Sequence, residues 1–212
     1  DYPGGFAAWQ TDARGILAGL LGLDRIAADA SEHEPVVQLA KAVQEDGYRR
    51  QRGEIETEPG VTIPFWLLVP DGTTRKPRPL AICAHGHDRD GWNTYAGVYR
   101  DEEHRTSTEA KDGNVGVQAV QRGFVTLVPA TRGLAEAVSI PDPKGRHGNR
   151  PCRAQLIHCL LAGRTAIGER VWDTQRILDW ALATLPAVHK EKVLMLGNSG
   201  GGVMTVYAAA LD

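Results

Sequence analysis

The run Gly197-Asn198-Ser199-Gly200-Gly201 places one hydroxyl in a glycine-rich bend. It directly follows the apolar run Val193-Leu194-Met195-Leu196 and precedes a helical stretch, Gly202 to Leu211. A serine so placed has the setting of a nucleophile, because G-x-S-x-G gains meaning between a strand and a helix. Side chains flanking such a tight turn would clash, and glycine at 197 and 201 avoids this. The bend lifts the Ser199 hydroxyl above the end of the sheet. The free N–H groups and positive end of the next helix point to the same spot. An oxyanion formed there would be stabilised by the Gly200 N–H. Two plainer readings compete. One is a structural Gly-rich turn. The other is a phosphate-binding loop, which would need a P-loop lysine or G-x-G-x-x-G spacing that this stretch lacks.

A second group, His85-Gly86-His87, follows the apolar run Leu80 to Ala84. Gly86 permits a close turn, and the His87 N–H is a candidate second oxyanion donor. The same loop offers metal-ligand types in His85, His87, Asp88 and Asp90. The binuclear pattern H-x-H-x-D-H would need aspartate where Arg89 stands and histidine where Asp90 stands, so the metal arrangement is the alternative reading. Arg132 follows another apolar run, Phe124 to Val128. With His85 and Trp92 it is a candidate pocket residue. Trp92 and Trp172 are of a type that stacks on sugars or simply packs. Arg170 and Asp173, three apart on a helical stretch, share a face and read as a surface or packing pair.

These residues need elements to hold them. Leu80–Ala84, Phe124–Val128 and Lys192–Leu196 are short apolar runs typical of buried parallel strands. Helical patterns stand between or after them. Val115–Gln121 stops at Gly123, and Thr165–Leu185 carries a stripe of Ile167, Val171, Leu178, Leu182 and Leu185 before Pro186. Arg50 to Val69 reads as two strands joined at Pro59-Gly60. The order implies an α/β fold: a mostly parallel sheet with helices on both faces, led in by a hairpin. Residues 1–48 read as a helical leader or brace, with Trp9, Ile16, Leu17, Leu20 and Leu21 on one face and a second short helix over Val36–Val43. Residues 49–212 form the core.

The elbow, the His85-Gly86-His87 loop and the helix with Gly168-Glu169-Arg170-Val171-Trp172-Asp173 together resemble the acetyl xylan esterase and dienelactone-hydrolase-like branch of the α/β-hydrolase superfamily. The likeness covers about residues 50 to 212. It implies the α/β-hydrolase fold and serine-dependent hydrolysis of a carboxylic ester, such as an acetyl group on a carbohydrate, without a cofactor. It also implies an oxyanion hole made by the N–H groups of Gly200 and His87, since H-G-x commonly follows this strand in the superfamily.

A serine hydroxyl needs a histidine base, and that base needs an orienting carboxylate. In the superfamily both follow the serine along the chain. Here His33, His85, His87, His104, His147, His158 and His189 all precede Ser199. The fold is therefore expected to be incomplete at its C-terminal side. The acid and base are expected beyond residue 212 or on another chain. A truncated, non-catalytic domain is one alternative, and an unusual base from the 85–87 or 147–158 loops is another. The strand at Val193 would otherwise be a bare apolar edge, so something is expected to cover it.

Net charge is -2 over 212 residues, with 42% apolar and 24% charged. This gives no electrostatic footprint for nucleic acid, and no apolar run is long enough to span a membrane. Of three cysteines, Cys83 reads as a buried thiol, and Cys152 and Cys159 have a spacing that leaves pairing open. The compartment stays open too, with secretion or the periplasm slightly favoured.

Overall fold

The computed structural model describes residues 2–72, 76–142, 144–146 and 151–212. His147 lies outside the described residues. A hairpin of β3 (Tyr48–Glu58) and β4 (Val61–Pro70) opens the main sheet, with Ile55 opposite Ile63 and Gly53 opposite Phe65. The Phe65 ring crosses Gly53 so closely that a Cβ there would lie 2.4 Å from the ring. Next come β5 (Arg78–Ala84), β6 (Val125–Pro129) and β7 (Val188–Gly197). With β1 (Val36–Leu39) at one edge, spatial order is β1-β3-β4-β6-β5-β7, with β5 parallel to both β6 and β7 and the β4–β6 pair antiparallel.

Alternation along β5 assigns its two faces. Leu80 and Ile82 pack with Ile177 and Ala181 of α7 (Ala166–Thr184). Ala81 and Cys83 pack with Val117 and Val120 of α5 (Val115–Gln121). From β5 the chain crosses by α5 to β6 on one side, and from β6 it crosses back by α7 on the opposite face to β7 on the other side of β5. The loops at the carboxyl ends therefore diverge there, which is where open α/β sheets form their crevices. This is the expected α/β-hydrolase arrangement.

Two expectations fail in the leader. Val36–Val43 is not a helix. Val36–Leu39 (β1) and Val43–Glu45 (β2) are strands that pair antiparallel with different parts of β3. Backbone partners on β3 override the helix-forming Leu39, Ala40 and Lys41. The single apolar face on α1 (Gly5–Leu21) also divides. Leu17 and Leu21 pack inward with Ile26 of α2 (Leu23–Asp29), Val171 and Ala208. Trp9, Ile16 and Leu20 are exposed.

The helices are clasped at one point. The Thr165 hydroxyl accepts from the Gly168 N–H, capping α7, and donates to the carbonyl of Leu21 at the end of α1. Gly168 is needed because a Cβ there would fall 2.1 Å from that carbonyl oxygen.

Arg132, just past β6, is buried among three carboxylates from two elements, β3 and α7. Its Nε and Nη2 donate to both oxygens of Asp173 at 2.7 and 2.6 Å. Nη2 also reaches Glu58 at 2.6 Å, and Nη1 lies 3.3 Å from Glu169. Arg164 bridges Glu58 and Asp29. Burial opposes charge on Arg132, but Asp173, Glu169 and Glu58 outweigh it and hold its pKa above the ordinary value. The cluster joins the hairpin, α2, α7 and the loop after β6. All three cysteines are free thiols, and among the described residues no helix is long and apolar enough to cross a membrane. Arg132→Met should lower the unfolding free energy by about 3–5 kcal/mol, because it strands buried carboxylates. The urea midpoint measures this.

Candidate active site

β7 ends at Gly197, and α8 (Gly200–Leu211) starts three residues later. Ser199 joins them with φ 52 and ψ −120, a region that costs a non-glycine residue about 1–3 kcal/mol. The neighbours enforce it. A Cβ on Gly197 would meet the Gly201 backbone at 2.4 Å, and one on Gly201 would meet the Ala84 carbonyl oxygen at 2.1 Å. The Asn198 N–H donates to the same Ala84 carbonyl, and the Asn198 carbonyl accepts from Gly201. The elbow is thus bolted onto the end of β5. Ser199 is exposed at the surface, and among the described residues its hydroxyl has no hydrogen-bond partner.

The His85-Gly86-His87 loop lies directly against it. A Cβ on Gly86 would sit 3.0 Å from Ser199 Cβ and 3.6 Å from its Oγ. The space beside Gly200 is bordered by His87 and Leu134: a Cβ there would be 3.5 Å from His87 Nδ1 and 2.8 Å from Leu134 Cδ1. Among the described residues, the N–H groups of His87 and Gly200 both lack an acceptor. Ser199, Gly200 and the 85–87 loop are therefore brought together.

His85 itself is fully buried, and its protonation follows from its partners. The Thr131 N–H can only donate, at 3.0 Å, so Nε2 accepts. The Gly86 carbonyl can only accept, at 2.8 Å, so Nδ1 carries the proton. Burial lowers the His85 pKa to about 4; the Gly86 carbonyl and Asp88 pull it upward, while Arg170 and His87 push it further down. Both ring nitrogens are engaged, which removes the first ligand of the metal arrangement. Asp88 and Asp90 instead accept bonds that organise the start of α3 (Gly91–Tyr95): Asp88 from the Asp90 N–H and Asp90 from the Asn93 amide. Among the described residues, no three His, Cys, Asp or Glu side chains are grouped to hold a metal.

The other candidates lie elsewhere. Trp92 is 6% exposed and stacked on Trp66 at 5.9 Å, so it offers no open face to a sugar. Trp172 donates to the Thr57 carbonyl and lies under Arg176. Arg132 is held in the ion cluster. Arg170 and Asp173 do not pair: Arg170 donates to the Arg132 carbonyl and to Gln155, and Asp173 receives Arg132. They are interior groups rather than a surface pair. Sequence reasoning missed Thr131 and Leu134, whose part here arises from a loop folded back onto β5. A strand-end position after β6 was the one available signal.

β7 is the sheet's last strand among the described residues. Val193 and Leu194 are 41% and 45% exposed although apolar.

Two measurements follow from this geometry. Gly201→Ala forces a Cβ into the Ala84 carbonyl and should lose roughly 2–3 kcal/mol of stability, seen in urea unfolding. The unfolded His85 takes its proton near pH 6.5 and the folded one only near 4. Stability should therefore fall as pH drops from 6.5 towards 4, by on the order of 3 kcal/mol. The difference in midpoints between the native chain and His85→Asn across that window isolates the effect.

The Abhydrolase family's sequence model matches residues 2–212. No curated protein matches the sequence. Among solved structures, a Bacteroides fragilis protein provisionally named an acetyl xylan esterase superposes with TM-score 0.73 at 19% identity, over 97% of this chain and 50% of its own. A methylesterase gives 0.67 at 20% identity, over 96% of this chain and 38% of its own. A glucuronoyl esterase from Solibacter usitatus gives 0.61 at 14%, over 97% and 56%. At these identities the likeness is one of fold. The chain spans half or less of the length of the first two.

Proposed function

The chain belongs to the Abhydrolase family, and we propose that it carries the nucleophile and oxyanion hole of a serine-dependent hydrolase acting on carboxylic esters of carbohydrates. The observation that carries this reading is Ser199: an exposed, unpartnered hydroxyl held at φ 52 between glycines that have no room for a side chain. Strain of this kind persists only where the surroundings impose it. The names of the structural neighbours support an ester substrate (acetyl xylan esterase, methylesterase, glucuronoyl esterase), and the first and third support one on a carbohydrate.

In this scheme Ser199 Oγ attacks the ester carbonyl carbon. Its proton passes to a histidine base. The N–H groups of His87 and Gly200 hold the oxyanion, which develops where they point and strengthens their bonds in the transition state. The carbon–oxygen bond to the alcohol then breaks. The base returns its proton to the departing oxygen, leaving an acyl group on Ser199. Water, deprotonated by the same base, hydrolyses it. No described histidine meets the Ser199 hydroxyl. We assign the base and its carboxylate to a segment outside residues 1–212, later in the protein or on another chain, lying along the free side of β7. The exposed Val193 and Leu194 favour this, because an uncovered apolar edge invites aggregation.

Ser199→Ala in the full-length protein should reduce hydrolysis of an acetylated carbohydrate by about 10⁴-fold or more, as loss of a nucleophile does. A fluorophosphonate should label the native protein at Ser199 and leave the variant unlabelled. Full activity in the variant would exclude the proposal.

A further inference from the structure

Under this reading the His87 N–H must point at the oxyanion, yet nothing on its own side of the peptide holds it. The geometry points to His85 as the positioning residue that aims it. The Gly86 carbonyl and the His87 N–H belong to one peptide group. That group is planar and trans, so the two bonds point in opposite directions; the described chain contains no cis peptide. Fixing the carbonyl therefore fixes the N–H.

The carbonyl is fixed twice. It accepts the Nδ1–H of His85 at 2.8 Å and the N–H of Asp88 at 2.8 Å. The Asp88 bond is local and would move with the loop. His85 is anchored from outside it. Its Nε2 accepts the Thr131 N–H from the loop after β6, and the next residue, Arg132, is gripped by Asp173 and Glu58. Gly91 packs against the ring, leaving no room even for a Cβ, which would lie 2.9 Å from Nδ1. The imidazole is thus a rigid strut from the interior to the back of the oxyanion peptide. It supplies a donor on one nitrogen and an acceptor on the other. Histidine in its neutral form offers this pair across one flat ring. His85 touches neither substrate nor Ser199 and acts only through the peptide.

The test compares two variants of the full-length protein. His85→Leu removes both bonds. His85→Asn keeps a side-chain donor at the place of Nδ1. The role assigned here predicts a kcat on an acetylated carbohydrate about 100-fold lower for His85→Leu, the loss typical of one oxyanion donor. KM should be little changed, and fluorophosphonate labelling of Ser199 correspondingly slower. His85→Asn should recover most of the rate. Labelling rates are compared per folded protein, by near-ultraviolet circular dichroism. A purely structural His85 would lower the melting temperature but leave the folded fraction reacting at the native rate, which overturns the inference. So would equal losses of kcat in both variants. If native protein is not labelled at Ser199, the esterase reading itself fails instead.

Discussion

A backbone contact at the end of β5 governs this molecule. The Gly201 backbone passes the carbonyl of Ala84 with no room for a methyl group, and that carbonyl also accepts the Asn198 N–H. Helix α8 is consequently locked to β5 at a fixed distance, and the five-residue path from Gly197 to Gly201 has little freedom. Ser199 takes up a positive φ because the chain has to cover that path, and its hydroxyl faces outward as a result. The close approach excludes any larger residue at 197 or 201. Chain geometry, more than any side-chain contact, presents the hydroxyl.

Around that contact the fold adds stiffness in layers. β5 is buried on both faces and lies between two parallel neighbours, so its end is the best-supported point of the sheet. The loop after β6 reaches back to it through the Thr131–His85 bond. Arg132 then carries the connection into carboxylates on the hairpin and on α7. A buried ion cluster is weak evidence of net stability. What this one supplies is geometry: bidentate pairing with Asp173 fixes the plane of the guanidinium, and with it the backbone beside Thr131.

The sequence disclosed those parts whose cause is local. β5, β6, β7, α5 and α7 were legible because apolar residues recur with the period of a buried strand or a helix face. The elbow was legible because glycine spacing reports steric demand directly. The rest depends on distant partners. Val36–Val43 reads as helix from its own residues and is made strand by β3. Arg132 looked like a pocket residue since nothing nearby in sequence reveals Glu58, 74 residues away, or Asp173, 41 residues away. Trp92 looked available to a sugar because the Trp66 that covers it comes from another strand. Arg170 and Asp173 were visible as neighbours on a helix, but each is satisfied by a different element.

One hydroxyl, that of Thr165, serves two helices: it caps α7 and holds the carbonyl at the end of α1. If the start of α7 frays, the hydroxyl is carried away from Leu21 as well as from Gly168. Unwinding the start of α7 therefore also releases the close of α1. The leader helix, for all its solvent-facing apolar residues, is thereby tied at its C-terminal end to a core helix.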